Sequence, residues 1–151
     1  MDLRWLLERQ IAWIAQADSK LAVLGPLPLA MLAISWTSNT LGTDRSGLVD
    51  FSLVSSTGLL CICLFFIKSA LSPRLDGPTH SDIYFGKIAC RSDQEFIDSV
   101  DQLDEGSFRN DLLMQIHANA RIAEAKHRNI GRAIISLALA TPFWLVSLIG
   151  S

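Results

Sequence analysis

Residues 21–43, 51–67 and 133–151 contain no Asp, Glu, Lys, Arg or His. A helix needs roughly 17–25 predominantly apolar residues to cross about 30 Å of hydrocarbon. With neutral flanks such as Leu48 and Val49, each of these stretches reaches that length. Composition points the same way: half of the 151 residues are hydrophobic and the mean hydropathy is +0.32. A soluble domain this small has mostly surface to cover and cannot hide so much apolar material. The expected fold is an all-α membrane protein in one domain, residues 1–151. Its parts are an N-terminal amphipathic helix (1–18), transmembrane helices at 21–38, 48–70 and 132–150, and a cytoplasmic helical region (72–131) between spans 2 and 3.

The residues before the first span do not resemble a secretory leader, which has a short basic start and no helical pattern of its own. Leu3, Leu7, Ile11 and Ile14 share a stripe with Leu6 and Trp13, and Arg4 and Glu8 are spaced to pair. Trp5 and Trp13 suit a membrane interface. Orientation follows from Lys and Arg. Of the 13 basic residues, Arg45 alone falls between spans 1 and 2, so the positive-inside rule makes the N-terminus and residues 72–131 cytoplasmic. In a bacterium that is the inner membrane, multi-pass. Residues 39–47 make the small external turn.

In the cytoplasmic region, Pro73, Gly77 and Pro78 predict a turn or extended connector over 72–82. Ile83–Cys90 is too short for its period to decide between helix, strand and loop. Ser92 and Glu95 form a capping-box pattern that opens a helix to about Asp104, with Phe96, Val100 and Leu103 on one face and Gly106 as its end. From about Ser107 to Ile149 nothing but Gly131 and Pro142 interrupts a helical pattern. A rod of about 60 Å would therefore run from the cytoplasm through the last span. Leu113, Ile116, Ala120 and Ala123 form one stripe, and Gln115, Asn119, Ile122 and Lys126 an adjacent line facing a polar partner. His117, Arg121, Glu124 and Arg128 form a solvated line on the far side.

Enzyme motifs are missing. The glycines lack the neighbours of a phosphate loop, no H-E-x-x-H or G-x-S-x-G occurs, and His80, His117 and His127 are not at metal-ligand spacing. Cys61 and Cys63 lie inside the second span as small apolar groups, and Cys90 is a cytoplasmic thiol. The acids Asp93, Glu95, Asp98, Asp101, Asp104 and Glu105 read as a solvated helix face. Residues 72–131 hold ten acidic against seven basic side chains, which argues against nucleic-acid binding. No metal, cofactor or catalytic residue is expected. At the mouth of the first span, Asp18 and Lys20 either mark the interface or form a structural or gating ion pair, with Lys126 or Arg132 as partners for Asp18.

Three motifs together suggest a family. W-I-A-Q-A-D-S-K from Trp13 to Lys20, Y-F-G at Tyr84–Gly86, and L-L-M-Q-I-H-A-N-A-R-I-A-E-A-K-H from Leu112 to His127 resemble the transmembrane effectors of bacterial Pycsar antiphage systems. The resemblance implies a companion uridylate or cytidylate cyclase that makes cyclic UMP or cyclic CMP on infection. The effector binds that nucleotide, and membrane integrity is lost in an abortive infection. A cyclic nucleotide needs phosphate donors, groups for the base edge and a flat surface for stacking. Lys87, Arg91, Arg121 and Lys126 could supply the first, Gln115 and Asn119 the second, and Tyr84, Phe85 or His127 the third. The candidate ligand-binding set is Tyr84, Phe85, Lys87, Gln115, Asn119 and Lys126. Three spans cannot enclose an aqueous path, so permeabilisation implies a homo-oligomer, with small residues at Ala30, Ala33, Ala138 and Ala140 permitting close helix contact. Two alternatives fit the same residues: a membrane-anchored scaffold recruiting a cytoplasmic protein through the acidic 93–105 helix, and a similar effector for another cyclic nucleotide messenger.

Overall fold

The computed structural model describes residues 2–41, 46–72 and 81–150. Among these there is helix and no strand: α1 (Leu3–Leu24), α2 (Pro26–Leu41), α3 (Gly47–Leu71), α4 (Phe85–Ile88), α5 (Asp93–Asp101) and α6 (Glu105–Ile149). The stretches Leu3–Ser38, Gly47–Leu71 and Glu105–Ile149 are long and apolar enough to cross a membrane. The proposed connector residues Pro73, Gly77 and Pro78, together with His80 and Arg45, lie outside the described residues. Of residues 39–47, expected as a turn, those up to Leu41 belong to α2 and Gly47 opens α3.

Local chemistry sets the helix boundaries. Asp2 caps α1, its Oδ1 accepting the N–H groups of Arg4 (2.9 Å) and Trp5 (3.4 Å). α1 then runs unbroken past Asp18 and Lys20 and stops at Gly25, whose N–H still donates to Leu21 O at 2.8 Å. Pro26 and Pro28 explain the stop: neither has an N–H to continue the ladder, yet both fit the first turn of a new helix. The capping box is present at α5, with Ser92 N–H donating to Glu95 Oε2 (2.9 Å) and Glu95 N–H to Ser92 Oγ (3.4 Å). These hydrogen bonds hold the Glu95 carboxyl below the ordinary range. The expected stop at Gly106 is not found. α5 ends at Asp101, and Asp104 caps α6 by accepting Ser107 N–H at 3.0 Å, which puts Gly106 inside the first turn of α6. Hydrogen bonds from Ser107 lower the Asp104 carboxyl too.

The chain divides into two compact units, Met1–Gln16 with Pro73–Ala125 and Ala17–Ser72 with Lys126–Ser151. The second has an inverted distribution of polarity. Its buried positions include Ser35, Ser52, Ser56, Ser136 and Ser147, whereas Trp36 and Val54 are 76% and 72% exposed and Phe51, Phe65 and Ile135 stand outward too. In water that arrangement would be unstable; in lipid the outer face is solvated, and small or hydroxyl side chains let helices approach closely. Four of these hydroxyls bond within their own helices: Ser35, Ser56, Ser136 and Ser147 donate to Met31 O, Leu53 O, Arg132 O and Trp144 O.

At one end of this unit Ala17 and Leu21 of α1, Cys63, Ile67 and Ala70 of α3, and Ile130 and Ala133 of α6 form the core. Farther along, the Trp144 indole donates to Met31 O at 3.0 Å, and a Cβ on Gly150 would run into the Val49 side chain. α3 is therefore antiparallel to α6, while α1 and α2 follow α6's direction. Ala140 is fully buried within the chain, whereas Ala30, Ala33 and Ala138 are exposed.

Candidate functional site

In the first unit α6 positions the polar chemistry. Its inward line is Asp111, Leu112, Gln115 and Ala123, so the expected apolar stripe is shifted: Leu113 is 43% exposed and Leu112 takes the inside place. Asp111, 6% exposed, reaches back to the turn before α4. Its Oδ2 accepts the N–H groups of Asp82 (2.8 Å) and Ile83 (3.2 Å). Ser81, buried more deeply still, accepts the N–H of Tyr84 at 2.9 Å and the side-chain amide of Gln115 at 3.1 Å. The turn from Ser81 to Tyr84 is thus moored to α6 by two side chains one helical turn apart. Gln115, a candidate for reading a base edge, spends one amide hydrogen on this mooring.

A cleft of about 360 Å³ opens beside it, at the lower end of the range for small-molecule sites. Asp82, Arg91 and Asp111 supply its charges, and Ser107, Asn110 and Met114 add neutral walls. Arg91 donates through Nη1 to Asp82 Oδ1 and, at 2.9 Å, to Ser99 Oγ of α5. Among the described residues, Asp111 Oδ1 is buried with no hydrogen-bond partner, and so is the Tyr84 hydroxyl. A buried acceptor left open costs about 1–3 kcal/mol, so Asp111 is poised for a donor.

The predicted residues fall into separate groups. The Tyr84 and Phe85 rings meet at a tilt of 58° with centroids 4.9 Å apart. The Tyr84 ring lies over Gly86, where a Cβ would meet Cε1 at 2.8 Å, so the glycine of Y-F-G makes room for the tyrosine. Phe85 is 65% exposed and offers an open ring face. Lys87 is on the same short helix, and Asn119 is half-buried on α6. Lys126 belongs to the second unit, where its ammonium pairs with Asp18; of the two partners considered for Asp18, Lys126 is the one found. Lys20 is exposed, and Arg132 lies 5.7 Å from the Phe66 ring centre. Arg4 sits over Phe108 at 5.9 Å.

Sequence reasoning missed Asp111, although a signal was present. The polar line read as Gln115, Asn119, Ile122 and Lys126 extends four residues back to Asp111. A carboxylate on the inner side of a helix is costly unless partnered. Ser81, Ser107 and Asn110 carry no such mark.

A family model described as "Pycsar effector protein domain" matches residues 2–151. No curated protein and no solved structure matches the chain.

Proposed function

Since this chain belongs to the Pycsar effector family and carries three candidate membrane-spanning helices, we propose that it is an antiphage effector gated by a cyclic pyrimidine mononucleotide, cCMP or cUMP. The nucleotide is made by a partner cyclase and binds the unit that contains Pro73–Ala125. The protein then assembles with further copies and breaches the bacterial inner membrane, with its N-terminus and residues 72–131 in the cytoplasm. It acts as a binding effector and leaves the nucleotide chemically unchanged.

The observation that carries this reading is the cleft beside α6. Its lining combines the Arg91 guanidinium with Asp111, whose Oδ1 is buried without a donor among the described residues. A cyclic mononucleotide has the complementary parts: an anionic phosphodiester for the guanidinium, and N–H or ribose O–H donors for the carboxylate. The exposed Phe85 ring provides a stacking face. α6 supplies residues to both units as one helix, about 67 Å long at 1.5 Å per residue over its 45 residues, and it is the element through which binding would reach the membrane. Nucleotide must bind the breaching state better than the resting one, or it shifts nothing.

Equilibrium binding of the full chain in detergent to cCMP, cUMP, cAMP and cGMP tests the proposal. A pyrimidine nucleotide is expected to bind and to be recovered intact, and Arg91→Gln to weaken binding at least about tenfold, as loss of a charge-assisted contact should. Binding of none of the four defeats the proposal. The scaffold alternative has its own observation, the exposed Ile97 and Val100 on acidic α5. It predicts that their replacement by Ser leaves nucleotide affinity unchanged while abolishing function in infected cells.

A further inference from the structure

The charges of the cleft conflict with its proposed ligand. Two carboxylates, Asp82 and Asp111, stand against one guanidinium, Arg91, so the lining is negative as it stands and repels a phosphodiester. Arg91 is also already engaged, by Asp82 Oδ1 and by Ser99 Oγ at 2.9 Å. Guanidinium groups take carboxylate and phosphate oxygens with the same charge-assisted geometry.

We infer that the Asp82 carboxylate stands in the place of the ligand's phosphate on Arg91, so that the site is closed by an internal anion and opens when the phosphate displaces it. The inference rests on the nucleotide reading above. It assigns Arg91 as the phosphate anchor and Asp82 as its competitor. The pair is suited to exchange, since the two side chains keep 28% and 26% of their exposure and remain within reach of solvent. Once Asp82 leaves, the charge beside the phosphate falls in the ligand's favour, and the displaced carboxylate can be hydrated.

The exchange also has a mechanical consequence. Asp82 is tied by its own N–H to Asp111 on α6 at 2.8 Å, and Arg91 is tied to Ser99 on α5. Trading the carboxylate for a phosphate therefore acts where the Ser81–Tyr84 turn, α5 and α6 are held together.

The test is Asp82→Asn, which keeps the side-chain shape and the backbone N–H and removes the charge. Titration calorimetry of the full chain in detergent with cCMP and cUMP should show Asp82→Asn binding about three- to tenfold tighter than the parent, because losing the competitor enlarges the fraction of protein open to ligand. Asp82→Glu, which keeps an anion, should stay within about twofold of the parent, and Arg91→Gln should lose binding alone or combined with Asp82→Asn. If Asp82→Asn does not fold, Asp82→Ser is read in the same way. Equal or weaker binding by the charge-free variant, with Arg91→Gln still defective, overturns the internal-anion inference and leaves the nucleotide reading standing. No binding by parent and charge-free variant alike overturns both.

Discussion

Asp18 and Lys126 provide a prediction in which the two ends of one ion pair behave differently. The Lys126 side chain keeps 13% of its exposure and that of Asp18 keeps 46%. Replacing Asp18 with Asn leaves an ammonium that is largely cut off from water. Stranding one charge of a fully buried pair costs about 3–5 kcal/mol. Asp18 is half in solvent, and a lysine stem can bend toward water, which brings the expected cost to about 1.5–3 kcal/mol. Lys126→Met removes the buried charge but keeps most of the packing stem. The remaining carboxylate is exposed enough to hydrate, so the cost is about 0–1 kcal/mol. The double variant should be no less stable than Lys126→Met alone, because no charge is then stranded. Unfolding in mixed micelles, followed by tryptophan fluorescence, gives the cycle. The reasoning is refuted if Lys126→Met costs as much as Asp18→Asn, or if the two costs add within about 0.5 kcal/mol.

Tyr84→Phe removes a buried hydroxyl that has no partner among the described residues and should leave stability unchanged or raise it by up to about 1 kcal/mol; a loss of about 1 kcal/mol or more in the same unfolding assay would show that the hydroxyl is bonded. Glu95 and Asp104 both have carboxyls lowered from the ordinary values of 4.5 and 3.8. The stability they contribute is present above those values and is lost as pH falls through the lower, folded ones. Helicity by circular dichroism should therefore fall on acidification below pH 4.5, and Ser92→Ala, which removes one side of the capping box, should shrink Glu95's share of that dependence; an identical acid profile would contradict it.

The three helices long and apolar enough to cross a membrane were legible because lipid imposes a condition each segment meets alone: enough consecutive residues without charge. The Ser92–Glu95 box was legible for the same reason, since its partners are three residues apart. Legibility failed where the partner is distant or the competition is local. Gly106 reads as a stop, yet Asp104 two residues earlier caps α6 and absorbs the glycine into its first turn. Leu112 and Leu113 are adjacent and chemically identical, so only packing decides which faces inward. Asp111 finds its donors 28 and 29 residues away, and Arg91 finds Asp82 across the α4 turn. Periodicity carries no record of such pairings. Lys126 is the exception: the sequence offered it both to the line of Gln115 and Asn119 and, from its depth beside the span, to Asp18, and the fold pairs it with Asp18.

The claim on which the account depends is that a cyclic pyrimidine nucleotide, acting on this chain alone, opens a membrane. Dye release from sealed liposomes containing the purified protein measures it directly. The account predicts rapid release on addition of cCMP or cUMP, none with cAMP or cGMP, and none from Arg91→Gln liposomes. Liposomes that stay sealed with a pyrimidine nucleotide demonstrably bound would contradict it.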